Sequence, residues 1–367
     1  MNTAKMGSYS KLIAFFLVAV ILLCAFGFAV EGWQPDYTQK PDSSDADTNS
    51  NADNNKEEPP EIPAPEEPAI PEFTNPLTGL ETTEQEAKKR HYCFVFSSDA
   101  PTYGLSASDI VIELPTEGND TRLLSFVSDF RSLGKIGSIA PSRGYMSNLA
   151  RNFNCTLVSY GNDDTVSYDS LPISSHFDLS VHKGYHYTEY SLFNYTNGDL
   201  IAAGLANANV GAPTVTGLSL PYLFNDFGNA GIVGAKSAKS VSIPFSETTA
   251  TEFYYSAAEN CYAMSKNGIA KKDMLNDSAI KFDNLFILFA DTVTYEGECA
   301  TEMIMNTIGS GKGFYISGGT AQNITWTADP LGNMTFYNDA SGQLIINRGT
   351  SYIGFAKSSK IADVSIS

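Results

Sequence analysis

Histidine, cysteine and tryptophan are scarce in this chain, at 4, 5 and 2 of its 367 residues, and 23 basic side chains face 41 acidic ones. A formal charge of −18 with no compact Lys/Arg cluster excludes nucleic acid as a partner, because the polyphosphate would be repelled. The cysteines, Cys24, Cys93, Cys155, Cys261 and Cys299, form no C-x-x-C pair, so neither a thiol redox motif nor a zinc ribbon is written here. Disulfides outside the cytoplasm remain open, although Cys93 and Cys155 fall in apparent strands, where buried free thiols are the commoner case. No G-x-S-x-G or S-x-x-K stands with a plausible base. The glycine-rich GSGKGF, Gly309 to Phe314, lacks Walker spacing and leads into a strand, so it reads as a turn.

Three of the four histidines, His176, His182 and His186, crowd into SHFDLSVHKGYHYTEY beside Asp178 and Glu189. His182 and His186 have the i, i+4 spacing of one helix face, which suits zinc. Gly184 and the alternating aromatics spoil that helix, and no H-E-x-x-H is present. We expect no metal and no cofactor.

One long apolar run is present. LIAFFLVAVILLCAFGFAV, Leu12 to Val30, matches the thickness of a bilayer core as a helix. Lys5 and Lys11 precede it and Glu31 and Asp36 follow, which places the N-terminus in the cytoplasm and the remainder outside. A cleaved signal peptide would have a shorter apolar region and a better small-x-small site than the one near Ala29. A lipobox would need a small residue before Cys24, where Leu23 stands. An uncleaved single-pass anchor is therefore the favoured reading, which locates the protein at the cell membrane with its globular part extracytoplasmic.

The expected organisation is a cytoplasmic N-terminus over 1–11, a transmembrane anchor over 12–30 and a disordered acidic, proline-rich linker over 31–73. From Glu31 to Glu72 there are 12 acidic residues against Lys40 and Lys56, and almost no large apolar side chains. Two domains follow. Over 74–235, strand patterns such as HYCFVFS, IVIEL, LLSFVSD and TLVSY alternate with a helical turn at Ser106 to Asp109 and a helix over Arg143 to Asn152 capped by Ser142. This predicts a mixed α/β domain. Over 236–367, beyond a glycine-rich connector, short strands punctuated by Asn267-Gly268 and the turn Asn338 to Gly342 predict a mostly β domain. The expected class is α+β.

Chemistry concentrates in SDIVIELPTEGNDTRLLSFVSDF, residues 108 to 130, and KIGSIAPSR, residues 135 to 143. Glu113 interrupts an apolar strand, so facing inward it needs a partner, which Arg122 or Arg143 could supply in bidentate form. Two carboxylates with an arginine in a cleft suit acid–base or glycosidic chemistry. They equally suit a structural ion-pair network or a binding site for a sugar or peptide.

These segments resemble the YerB-like bacterial family, DUF3048. The likeness runs through NPLTG (Asn75 to Gly79), SDIVIELPTEGNDTRL, KIGSIAPSR and Tyr160-Gly161. It continues in DNLFILFADT (Asp283 to Thr292), GKGFYISGGTAQNITW (Gly311 to Trp326) and FYNDASGQLIINRGTSYI (Phe336 to Ile353). The resemblance implies an extracytoplasmic protein of Gram-positive type bacteria, often a lipoprotein, with N- and C-terminal family domains and no established reaction. Glu113, Glu117, Thr121, Arg122 and Arg143 match the family's polar positions. Ala140 stands where the family tends to have a second arginine in G-P-V-R-S-A-R, and LFNYT, Leu192 to Thr196, stands where it tends to have H-N-L-Y-T. Those departures thin any catalytic or anion-binding site and shift the expectation toward binding.

The expected function is a membrane-anchored envelope module that binds a cell-wall polymer or an envelope protein. The alternative is a wall-active hydrolase or transferase with Glu113 and Glu117 as acid and base and Arg122 and Arg143 orienting an anionic group.

Overall fold

The computed structural model describes residues 71–161, 176–208, 220–226, 236–296, 301–330 and 333–367, the side chains of 295–296 and 301–302 excepted. The expected cytoplasmic N-terminus, the anchor, the linker up to residue 70 and the glycine-rich connector lie outside them. Among the described residues no helix is long and apolar enough to cross a membrane.

Among the described residues of the first half, eight strands belong to one sheet: β1 (Tyr92–Ser97), β2 (Ile110–Pro115), β3 (Thr121–Val127), β4 (Ile136–Ile139), β5 (Thr156–Ser159), β6 (His176–Asp178), β7 (Tyr187–Glu189) and β8 (Phe193–Thr196). The expectation of a mixed α/β domain here, and with it the α+β class, is corrected to mostly β. Its α-helices among the described residues are a single turn at Glu84–Ala87, one of nine residues at Gly144–Asn152 and one of ten at Gly198–Asn207. The helix expected over Arg143 to Asn152 runs over Gly144–Asn152, but β6, β7 and β8 are short and rich in polar and aromatic residues. They lack the longer apolar alternation by which a strand announces itself.

All eight join strands from the second half in one sheet of 14 strands. The seam is parallel pairing of β2 with Ser351–Lys357, Ile110 opposite Ser351 through Glu113 opposite Gly354, and that strand then pairs in parallel with Asn284–Ala290. Hydrogen bonding therefore runs without interruption from the first half to the second.

This sheet is covered on both sides, which is why its central strands are apolar runs such as NLFILFA rather than alternating patterns. One core gathers Phe94, Phe96, Val111, Leu123 and Ile287 against Val241, Ile243, Phe253 and Met264 of a second sheet. That six-stranded sheet is ordered Ile269–Ala270, Cys261–Lys266, Ala250–Ser256, Ser240–Pro244 and Ser365–Ile366, with Lys281–Phe282 also on Cys261–Lys266. The other core sets Val95, Ile112, Leu124 and Phe126 against Tyr145, Met146 and Leu149 of the helix Gly144–Asn152. Alternation along β2 puts Glu113 with Val111, facing the six-stranded sheet. The turn Asn267-Gly268 has positive φ at both residues, the type I′ geometry its sequence predicted.

Candidate functional site

Glu113 lies wholly inside, between the two sheets. Its Oε1 accepts from the Thr121 hydroxyl at 2.6 Å, and its Oε2 accepts from Thr251 at 2.8 Å and Tyr352 at 2.7 Å. Its ionic partner is Lys266, 3.5 Å away on the six-stranded sheet, and not Arg122 or Arg143. β-sheet alternation explains the meeting. Glu113, Thr121 and Tyr352 lie on one face of the large sheet, and Thr251 and Lys266 are paired in register on the small one. Burying a charge is costly unless it is paired and hydrogen-bonded, and here the carboxylate has an ammonium and three hydroxyl donors.

Lys266 extends the network outward. It lies 3.1 Å from Asp99, whose side chain is 58 % exposed, donates to Thr121 Oγ1 at 2.7 Å and contacts Ser98 Oγ. A serine beside a lysine invites a nucleophile reading. Ser98 is only 1 % exposed, however, and Lys266 is shared between two carboxylates and two hydroxyls. Lys271 donates to the Ser98 carbonyl at 2.7 Å, and burial, with Lys266 nearby, lowers its pKa to about 8. Burial and the adjacent Glu113 raise the Tyr352 phenol well above its ordinary value.

The arginines pair elsewhere. Arg122 binds Asp120. Burial pushes Asp120 up, but the Arg122 guanidinium and the Thr121 amide override this and hold its carboxyl below the usual range. Arg143 directs Nε and Nη2 at Glu117 Oε1, at 3.0 and 2.8 Å. Arg143, not Ser142, occupies the N-cap of the helix Gly144–Asn152, and it makes no side-chain cap. A cation there opposes the helix dipole, and Glu117 offsets it. Glu117 is set by a tight turn in which Gly118 and Asn119 have φ of 73° and 65°. Thr249 holds that turn to the small sheet by donating to the Asn119 carbonyl at 2.6 Å.

The five polar residues therefore separate into a sealed group, Glu113 with Thr121, and a peripheral group, Glu117 with Arg143, while Arg122 turns to Asp120. Beside the peripheral group is a recess of about 210 Å³ lined by Thr116, Glu117, Asp120, Phe245, Thr292 and Lys357. Thr116 Oγ1 is buried there without a hydrogen bond. Thr251, Lys266, Lys271 and Tyr352 escaped the sequence reading because they lie more than a hundred positions from Glu113. The one available signal was Lys266 in an otherwise half-apolar strand.

The histidines do not converge. His176 Nε2 is 2.9 Å from Ser159 Oγ, His182 stacks on Phe177 at 4.5 Å, and His186 meets Tyr160 edge-on at 4.7 Å. Burial lowers His176 to about 4. Among the described residues no three His, Cys, Asp or Glu side chains form a group fit for a metal ion. Cys93, Cys155 and Cys261 are free thiols, and Cys299 lies outside the described residues.

Comparison with known proteins agrees with the residues that carry the resemblance. The family described as "Protein of unknown function (DUF3048)" matches through its N-terminal domain over residues 77–198 and its C-terminal domain over 241–353. A Bacillus subtilis (strain 168) protein named "Putative lipoprotein YerB" is 22% identical over 264 residues, which is 68% of this chain and 77% of that protein. The crystal structure of the YerB protein from Bacillus subtilis superposes with a TM-score of 0.69 at 20% identity, covering 80% of this chain and 99% of that one. At this identity the likeness establishes the fold. With both family domains matched in order across its two halves, the chain belongs to the DUF3048 family.

Proposed function

We propose that this chain is an extracytoplasmic cell-envelope protein, held at the membrane by its apolar segment 12–30, that binds a wall polymer or an envelope protein without transforming it. The observation that supports binding over catalysis is the placement of Glu113. A general acid or base must reach the proton it transfers. Glu113 has no exposed surface, and its two oxygens serve three hydroxyls and Lys266. Glu117 is clamped by Arg143, so the two carboxylates do not act across one open cleft. The likeness to a protein named as a lipoprotein supports the envelope setting.

The test is co-sedimentation of residues 66–367, one compact unit, with purified cell wall, alongside cross-linking of the full chain in membranes. Recovery with wall or with a defined envelope protein supports the role. Absence of both overturns it.

A further inference from the structure

A second recess, of about 480 Å³, lies at an edge of the large sheet away from the polar cluster. That volume is within the range of small-molecule pockets, about 300–1,000 Å³, whereas the recess beside Glu117 falls below it. Strand pairing accounts for it. Thr320–Ala328 pairs along its whole length with Gly309–Ser317. Its other edge is shared by two partners: Lys236–Ser237 lies opposite Thr320 and Ala321, and Met334–Asn338 begins opposite Ile324. Gln322 and Asn323 fall in the interval, where neither strand covers them. The result is a notch two residues wide, which leaves edge backbone open and admits side chains from both faces of the sheet.

The lining is amphipathic and electrically balanced. Phe314, Val364 and Ile366 form an apolar wall, Asn323 lies beside Phe314 on that face, Gln322 stands at the open edge on the opposite face of its strand, and one lysine, Lys236, and one aspartate, Asp339, complete the polar lining. Among the described residues none of these four polar side chains has a hydrogen-bond or ion-pair partner. They are ordinarily solvated groups gathered at a concave place. Amides both donate and accept, as hydroxyls do, and an aromatic and aliphatic wall suits the C–H face of a saturated ring. One positive and one negative side chain in a protein of charge −18 give no preference for an anion. A two-residue notch is too short to add a peptide strand, whose affinity comes from a run of main-chain hydrogen bonds.

We propose that this notch binds a neutral pyranose unit of a glycan chain, its ring face on Phe314 and Ile366 and its hydroxyls on Gln322 and Asn323. The proposal names a ligand class for the binding role given above and rests on that role. Full-length protein, in a detergent without a sugar headgroup, is titrated with the β-1,4-linked tetrasaccharides of N-acetylglucosamine and of glucose by calorimetry and saturation-transfer NMR. At least one should bind. The double variant Gln322→Ala/Asn323→Ala should weaken it by about tenfold or more, the loss of about 1.4 kcal/mol of contact. Thr327→Ala, exposed further along the same strand, should leave affinity unchanged, and an unaltered melting temperature certifies the fold of both variants. Failure of both tetrasaccharides to bind, or wild-type affinity in the double variant, overturns the site. Wall that retains wild type and double variant equally refutes the notch and leaves the binding role standing, whereas wall that retains neither, with no envelope partner, removes the role itself.

Discussion

Replacing Glu113 with alanine removes one member of a buried pair and three hydroxyl acceptor contacts at once. Breaking a buried ion pair from one side costs about 3–5 kcal/mol, and each orphaned hydroxyl about 1–3 kcal/mol. The terms do not add, because Lys266 keeps Asp99 and Thr121 keeps Lys266 as partners. The expected loss is about 4 kcal/mol, a large share of the roughly 5–15 kcal/mol that holds a domain folded. Glu113→Gln keeps the volume and one carbonyl, and the Thr251 and Tyr352 hydroxyls can turn to accept from its amide, so it should cost about 1–2 kcal/mol. Urea unfolding of residues 66–367 measures both, read as a shift in midpoint at constant slope. A double-mutant cycle with Lys266→Met should return a coupling of about 1 kcal/mol or more. An alanine cost below about 1 kcal/mol, or a glutamine cost equal to that of alanine, would refute the account of Glu113 as a buried carboxylate held by Lys266 and three hydroxyls.

Other outcomes follow from single positions. His91 is fully buried with both ring nitrogens unpaired, and burial lowers its pKa from 6.5 to about 4. The unfolded chain therefore binds the extra proton first, and stability is lost as pH falls from 6.5 toward 4, by up to about 3 kcal/mol; His91→Phe should flatten that limb of a pH–urea series. Asp273, also fully buried, accepts from the Gly104 and Ser106 amides at 3.0 and 2.8 Å and from the Ser106 hydroxyl at 2.6 Å. Asp273→Ala should cost about 2–4 kcal/mol in the same assay, since three donors from the first half lose their acceptor. Tyr190 and Ser191 hold the β7–β8 turn at φ of 55° and 53°, so Tyr190→Asn with Ser191→Gly should raise stability by roughly 1 kcal/mol.

The strands whose interiors are apolar were legible because burial leaves a pattern on neighbouring residues. HYCFVFS, IVIEL and TLVSY became β1, β2 and β5, and the turn chemistry of Asn267-Gly268 and Asn338 was equally plain. Asn338 Oδ1 does accept from the Ala340 and Gly342 amides, each at 3.0 Å. Pairing was not legible. Nothing local tells β2 that its neighbour is Ser351–Lys357, and this pairing fuses the two halves into one sheet. The candidate site was half visible for the same reason. A glutamate inside an apolar strand announced the need for a partner, but the partner came from a distant hairpin. The arginines nearest in sequence were taken by Asp120 and Glu117. The edge notch has no sequence signal, since Gln322 and Asn323 look like ordinary solvent-facing residues until their missing neighbour is known.

The most direct measurement incubates residues 66–367 with purified wall and follows two readings together, protein retained in the pellet and soluble sugar or peptide released. Binding without transformation predicts retention with release no greater than in buffer, unchanged by Glu117→Gln. Release above background that disappears in Glu117→Gln would contradict it and return that carboxylate to an acid–base role.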